Sequence, residues 1–222
     1  MNSIRTETFN YKSISYAVGK TARYSSNPSD AHWSAVKRIM RYLNGSIHLG
    51  LLYKKDGNQR LIGYSDADWA GDLDDRTSTS GYVFQLSGAP ISWRSKKQSC
   101  VALSTAEAEY MALSSAVQEA IWLERLISDL FGVKEETVTV YEDNQSTIQM
   151  GKNQQYHGRT KHVSIKYHFV RENVVAGVVR IPYCRSEDML ADIFTKPLSA
   201  PRFKKLCEMI GITSASSNES EC

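Results

Sequence analysis

No run in this 222-residue chain approaches the roughly 20 apolar residues of a membrane span. The opening Met1-Asn-Ser-Ile-Arg-Thr-Glu-Thr8 lacks the apolar centre of a signal peptide. An intracellular protein with no membrane partner is therefore expected. Cysteines are few and unpaired in spacing: Cys100, Cys184, Cys207 and Cys222 fit neither a zinc site nor a disulfide framework, and reduced thiols are the expectation. Net charge is small as well, at +3. That figure hides a local excess. Seven basic residues (Lys152, Arg159, Lys161, Lys166, Arg171, Arg180 and Arg185) and a single acid, Glu172, give the segment 152–185 a charge of +6, and three of the five histidines lie there. Such a block is either a solvated face or a surface for a polyanion. The 41% hydrophobic and 23% charged content is that of an ordinary globular protein, long enough for one substantial domain with an appended piece.

Periodicity divides the chain. Residues 29–45 carry apolar Trp33, Val36, Ile39, Met40 and Leu43 at helical spacing, after Ser29 or Asp30 as cap and before Asn44-Gly45 as stop. Two strand-like runs, 49–54 and 60–66, flank Asp56-Gly57 as a hairpin signal with a loose loop; if 60–66 is flanked on both sides in the sheet, 49–54 pairs only with its beginning or packs elsewhere. Further strands are expected at 81–86 and 90–94, joined by Ser87-Gly88-Ala89. A long helix follows from Ser104 to Leu130, stopped at Gly132. Then come a short β-branched strand at 138–141, helices at 144–150 and 163–175, a strand at 178–183 and a last helix at 187–194. From Leu61 onward this order predicts an α/β fold. Three antiparallel strands are extended by two parallel ones into a mixed five-stranded sheet with helices on its faces. The domain division is then 1–60 as an accessory helix and hairpin strand, 61–212 as the main domain, and 213–222 as a Ser-rich, acidic, disordered tail.

Four acids stand at junctions of these elements: Asp66, Glu109, Asp143 and Asp192. At 100° per residue, Glu107 falls on the polar side of the long helix. Glu109 shares the opposite side with Ala112, Leu113, Ala116, Ala120, Leu123 and Ile127. Ser104-Thr-Ala-Glu107 also fits a capping box in which Glu107 returns to the Ser104 N–H, whereas a carboxylate on an apolar stripe needs a partner or a metal. Asp66 ends its strand and would share a face with Asp68 if the strand continues. Asp143 fits an N-cap as well as a ligand. Asp192 reads either as a solvent-facing helical acid or as a fourth site residue. An oxygen-only ligand set favours Mg2+, with Mn2+ as substitute, over zinc. Two such ions, typically about 4 Å apart, suit phosphodiester hydrolysis.

The runs Tyr64-Ser-Asp66-Ala-Asp-Trp-Ala-Gly71, Thr77-Ser-Thr-Ser-Gly-Tyr-Val-Phe84, Leu103-Ser-Thr-Ala-Glu-Ala-Glu109-Tyr-Met-Ala-Leu113, Tyr141-Glu-Asp143-Asn-Gln-Ser146, Arg159-Thr-Lys-His162, Lys166-Tyr-His-Phe-Val-Arg171 and Ala191-Asp192-Ile-Phe-Thr-Lys196 together resemble the ribonuclease H domain of copia-type retrotransposon Pol polyproteins. Upstream, Ile14-Ser-Tyr-Ala-Val18 and His32–Leu43 resemble the segment that joins reverse transcriptase to that domain. The resemblance implies a ribonuclease H-like fold and metal-dependent cutting of the RNA strand of RNA–DNA hybrids. The reverse transcriptase portion would be a partner, in a cytoplasmic, virus-like-particle setting. It also implies Asp66, Glu109, Asp143 and Asp192 as both catalytic and metal-binding residues. Candidate contacts to the nucleic acid are Arg94, Lys96 and Lys97, after the third strand, and Arg159, Lys161, His162, Lys166 and Arg171 of the basic block.

Two departures accompany the likeness. The loop before the last acid, Tyr183-Cys-Arg-Ser-Glu-Asp188, has no histidine where many ribonucleases H place one, leaving water, or His157, His162 or His168, as alternatives. The tyrosine-plus-two-aspartates hairpin of a polymerase is also missing, since Leu73-Asp-Asp75 lies in a polar loop. The chain alone is therefore not expected to polymerise DNA. A non-catalytic, nucleic-acid-binding transposon remnant stands as the alternative function.

Overall fold

A computed structural model describes residues 4–6, 14–55, 60–132, 137–152 and 161–214, with side chains from residue 14 onward except for 161–164. After β1 (Ile4–Thr6) the chain forms α1 (Ser15–Ala22), α2 (Asp30–Gly45), β2 (Leu49–Tyr53), β3 (Ile62–Asp68), β4 (Thr79–Leu86) and β5 (Ala89–Lys97). There follow α3 (Thr105–Phe131), β6 (Val138–Tyr141), α4 (Gln145–Lys152), α5 (Lys161–Val175), β7 (Val179–Arg180), two 3-10 turns (Ser186–Asp188 and Leu190–Phe194), α6 (Ala200–Ile210) and β8 (Ile212–Ser214). The main sheet has the order β5-β4-β3-β6-β7, with β3, β4 and β5 antiparallel and β6 and β7 added in parallel. This is the mixed five-stranded sheet expected of a ribonuclease H-like fold.

Alternation along β4 gives the sheet two apolar faces. Tyr82 and Phe84 enter a core with Tyr110, Leu113, Val117 and Leu123 of α3, Val138 and Val140 of β6, and Val170 of α5. Val83 points the other way, into a second core with Leu190, Ile193, Phe194, Leu206, Ile210 and Leu51. The two-residue turn Ser87-Gly88, with φ of 54° and 80°, closes β4 onto β5 with the twist that short hairpins require.

Four expectations are corrected. The 49–54 run forms no hairpin with 60–66. Instead β2 pairs antiparallel with β1 and β8 in a separate three-stranded sheet, because both neighbours of β3 are already taken by β4 and β6. Thr213 and Ser214, placed in a disordered tail, lie in β8 opposite Gly50 and Leu49. Backbone pairing with β2 holds them, and Ile212 anchors the strand in the second core. The third strand of the main sheet does not end at Arg94: β5 runs to Lys97, so Arg94, Lys96 and Lys97 belong to it. The last expected helix is two 3-10 turns, since Met189, Leu190, Ala191, Ile193 and Phe194 are all buried and leave no solvent face for an amphipathic α-helix.

The end of α1 is tied to the main sheet by charge. Asp72, 1% exposed, accepts ion pairs from Lys20 (3.3 Å) and Arg23 of the α1 end and from Lys97 of β5 (3.3 Å), while its Oδ1 accepts the Asp74 N–H at 3.0 Å. Among the described residues no helix is long and apolar enough to cross a membrane.

Candidate metal centre

Asp66 sits two residues before the end of β3, on the face of the sheet that meets the second 3-10 turn. Directly opposite it in the ladder is Gly81. A Cβ on Gly81 would lie 2.7 Å from Thr195 Cγ2 and 2.8 Å from Phe194 Cβ, so glycine is what lets that turn close over Asp66. Glu109 is delivered by the first turns of α3. Ser104 Oγ accepts the Glu107 N–H at 3.2 Å, and Glu107 Oε2 accepts the Leu103 N–H at 2.7 Å. The capping role of Glu107 thus holds, although its side chain reaches one residue further back than Ser104. Asp143 follows β6. The cap of α4 is not Asp143 but Asn144, whose Oδ1 accepts the Thr147 N–H at 3.1 Å, which leaves the Asp143 carboxylate without a capping task. Thr147 Oγ1 in turn donates to Ala106 O at 3.2 Å, drawing the start of α4 against the start of α3.

One carboxylate oxygen from each of Asp66, Glu109 and Asp143 lies within 4.8 Å of the other two. Residues 66, 109 and 143 are far apart in the chain, and the sheet and two helix starts bring them together. Asp66 and Glu109 are buried and Asp143 is partly exposed, so the cluster has a wet side. The Oε2 atom of Glu109 is buried with no hydrogen-bond partner. An orphaned carboxylate oxygen beside two other carboxylates is costly unless a proton or a cation reaches it. Burial, and then Asp66, Glu142 and Asp143, hold the Glu109 carboxyl well above its usual range. The donor set is oxygen only, which suits a hard divalent ion.

Asp192 is not one of the three. It is wholly buried rather than solvent-facing, and its Oδ1 lies 2.8 Å from Lys196 Nζ while Arg202 Nη2 holds Oδ2. Lys196 Nζ also lies 3.3 Å from Asp66 Oδ1, and the Thr195 hydroxyl donates to Asp66 Oδ2. Burial and Asp66 push Asp192 up to about 7, against Lys196 and Arg202. Burial would lower Lys196, but Asp66 and Asp192 outweigh it and raise the ammonium pKa.

Sequence reasoning missed Glu142, Thr195, Lys196 and Arg202. Glu142 is fully buried, with Oε1 accepting the Asn144 N–H at 3.2 Å and Oε2 unpartnered. Its signal was the period of two: Val138 and Val140 face the core, and Glu142 is next in step. Burial, with Asp143 and Asp66 nearby, raises its carboxyl well above the usual range, while the Asn144 N–H pulls the other way. Lys196 was legible as a cation four residues beyond Asp192. Asp68 ends β3 half-buried, its carboxyl raised by burial and by Asp66 and lowered by Lys196.

The expected phosphate contacts divide. Arg94 and Lys96 are exposed on β5, two residues apart on one face of the edge strand. Lys97 points away from them and is engaged with Asp72 and, at 2.6 Å, Asp75. On α5, Lys166 and Arg171 are partly exposed, and Arg171 Nη2 lies 2.9 Å from Nδ1 of the exposed His168. Arg159 and His157 lie outside the described residues, as do the side chains of Lys161 and His162.

Comparison with known proteins settles the lineage. The chain is 39% identical over 212 residues to the Retrovirus-related Pol polyprotein from transposon RE2 of Arabidopsis thaliana, covering 96% of this chain. It is 43% identical over 202 residues to the Pol polyprotein from transposon TNT 1-94 of Nicotiana tabacum, covering 90% of it. The chain belongs to the copia-type retrotransposon Pol polyproteins. It spans 15% of the length of either relative. The mixed five-stranded sheet described above is the one expected from that family resemblance. Among solved structures, LC11-RNase H1 in complex with RNA/DNA hybrid aligns over 61% of this chain and 94% of its own, with a TM-score of 0.45 and 15% identity. No family model matches the chain.

Proposed function

We propose that this Pol segment is a ribonuclease H that hydrolyses the RNA strand of RNA–DNA hybrids, with Asp66, Glu109 and Asp143 as the residues that hold divalent metal. The observation that carries this reading is the convergence of the three carboxylates within 4.8 Å around an unpartnered, buried Glu109 oxygen. When bound, a hard ion such as Mg2+ or Mn2+ supplies positive charge that polarises a phosphodiester. The chain's own part is to fix three ligands on rigid elements and to leave Asp143 open to solvent. Asp192 positions the centre through Lys196, which it shares with Asp66. Arg94 and Lys96 on one side, and the basic α5 region with Lys166 and Arg171 on the other, are the surfaces proposed to track the phosphates of the hybrid. The domain division belongs to the same proposal, with 61–212 as the nuclease unit and 1–60 as the connection to a reverse transcriptase partner. So does a cytoplasmic, virus-like-particle setting.

The remnant reading keeps one specific support: both oxygens of Asp192 are already taken by cations. Incubation with a labelled RNA–DNA hybrid, duplex RNA and duplex DNA in Mg2+ and in Mn2+ separates the two. Hybrid-specific cutting of the RNA strand, lost in Asp66→Asn, is the expected result. Binding without cutting in either metal would establish the remnant.

A further inference from the structure

We infer that the Lys196 ammonium takes the position of the second cation in this centre, so that the chain binds one divalent ion where its acidic motifs led us to expect two. The inference rests on the metal-centre reading above and goes beyond it in assigning a role to a residue of this chain. Lys196 Nζ lies between the carboxylates of Asp66 and Asp192, at 3.3 and 2.8 Å, so these two acids already share one cation.

The ammonium is held there from several sides. Its Asp192 partner is wholly buried and is fixed through its other oxygen by Arg202, which also donates to the Ser186 carbonyl. The neighbouring Thr195 hydroxyl donates to Asp66, so the backbone that carries Lys196 is tied to the same carboxylate. Lys196 is 31% exposed along its side chain, which shields most of it from water. By contrast, no ion pair among the described residues reaches Glu109 or Asp143, and Glu109 Oε2 has no partner at all. Positive charge is thus built in on the Asp192 side and lacking on the Glu109–Asp143 side. A divalent ion entering the second position would have to displace an ammonium from two carboxylates, whereas one entering beside Glu109 and Asp143 meets no ion-paired lysine or arginine on either acid.

The test counts ions rather than products. The full chain is titrated with Mn2+, and free metal is followed by electron paramagnetic resonance alongside calorimetry. Wild type is expected to bind one ion per chain, Asp143→Asn to weaken that ion at least about tenfold, and Lys196→Met to gain a second ion. Lys196→Arg, which keeps the charge, is expected to stay at one. Lys196→Gln provides a second neutral variant should Lys196→Met fold poorly by circular dichroism. Two ions in wild type, or a single ion in both neutral variants, overturns the role of Lys196 while leaving the metal centre intact. No Mn2+ bound by wild type, or binding indifferent to Asp143→Asn, sinks the metal-centre reading itself and the inference with it.

Discussion

Asp72→Asn removes the negative charge on which three cations converge while keeping the side chain's shape. The carboxylate is enclosed by its immediate neighbours, yet Lys20, Arg23 and Lys97 remain 29%, 19% and 32% exposed. Stripping one partner from a fully buried ion pair costs about 3–5 kcal/mol, and an exposed pair is worth at most about 1 kcal/mol. An enclosed anion with half-screened cations near the surface falls between these limits, at about 2 kcal/mol. For a chain of this size that corresponds to a fall in Tm of about 4–8 °C. Burial opposes ionisation of Asp72, but the Asp74 N–H and the Lys97 and Lys20 ammonium groups win and hold its carboxyl well below the usual range. A depressed folded pKa contributes stability above the unfolded value of about 3.9, and loses it as pH falls through the folded value. The deficit of Asp72→Asn should therefore be full at pH 7 and shrink steadily below about pH 4. Urea unfolding of both proteins at pH 7 and in the acid range measures it. A deficit under about 0.5 kcal/mol at pH 7, or one that is the same at both ends of the range, would refute the reasoning.

Saturating Mg2+, at about 100 times its Kd, should stabilise the wild type by about 2.7 kcal/mol, or about 5–11 °C in Tm. Asp143→Asn should lose most of that rise, and scanning fluorimetry with and without Mg2+ compares them. Gly81→Ala puts a methyl against Thr195 and Phe194 and should cost about 1–3 kcal/mol by urea unfolding. A neutral outcome would mean that the 3-10 turn over Asp66 gives way easily. Lys96→Ala should weaken hybrid binding across sequences and lower the salt slope by about one, as read by fluorescence anisotropy at several ionic strengths. An unchanged slope would remove β5 from the nucleic-acid interface.

Local pattern determined much of this protein on its own. Alternation marked the strands, the 3.6-residue period marked α3 and chose Glu109 over Glu107 as the inward acid, and Ser104, Gly132 and Ser87-Gly88 marked ends and turns. These features depend on residues near one another in the chain, so the sequence displays them directly. The expected strand order already filled both edges of β3, but tertiary structure decided that β2 pairs with β1 and β8, since no local signal joins residues 4–6, 49–53 and 212–214. It also decided that Asn144 rather than Asp143 caps α4, that Asp192 is buried under α6, and that Lys196 stands between two aspartates. Charge and periodicity can nominate an acid for a metal centre. Which acids share it, and which are already neutralised by a lysine or an arginine from another element, depends on distances that exist only once the chain has folded.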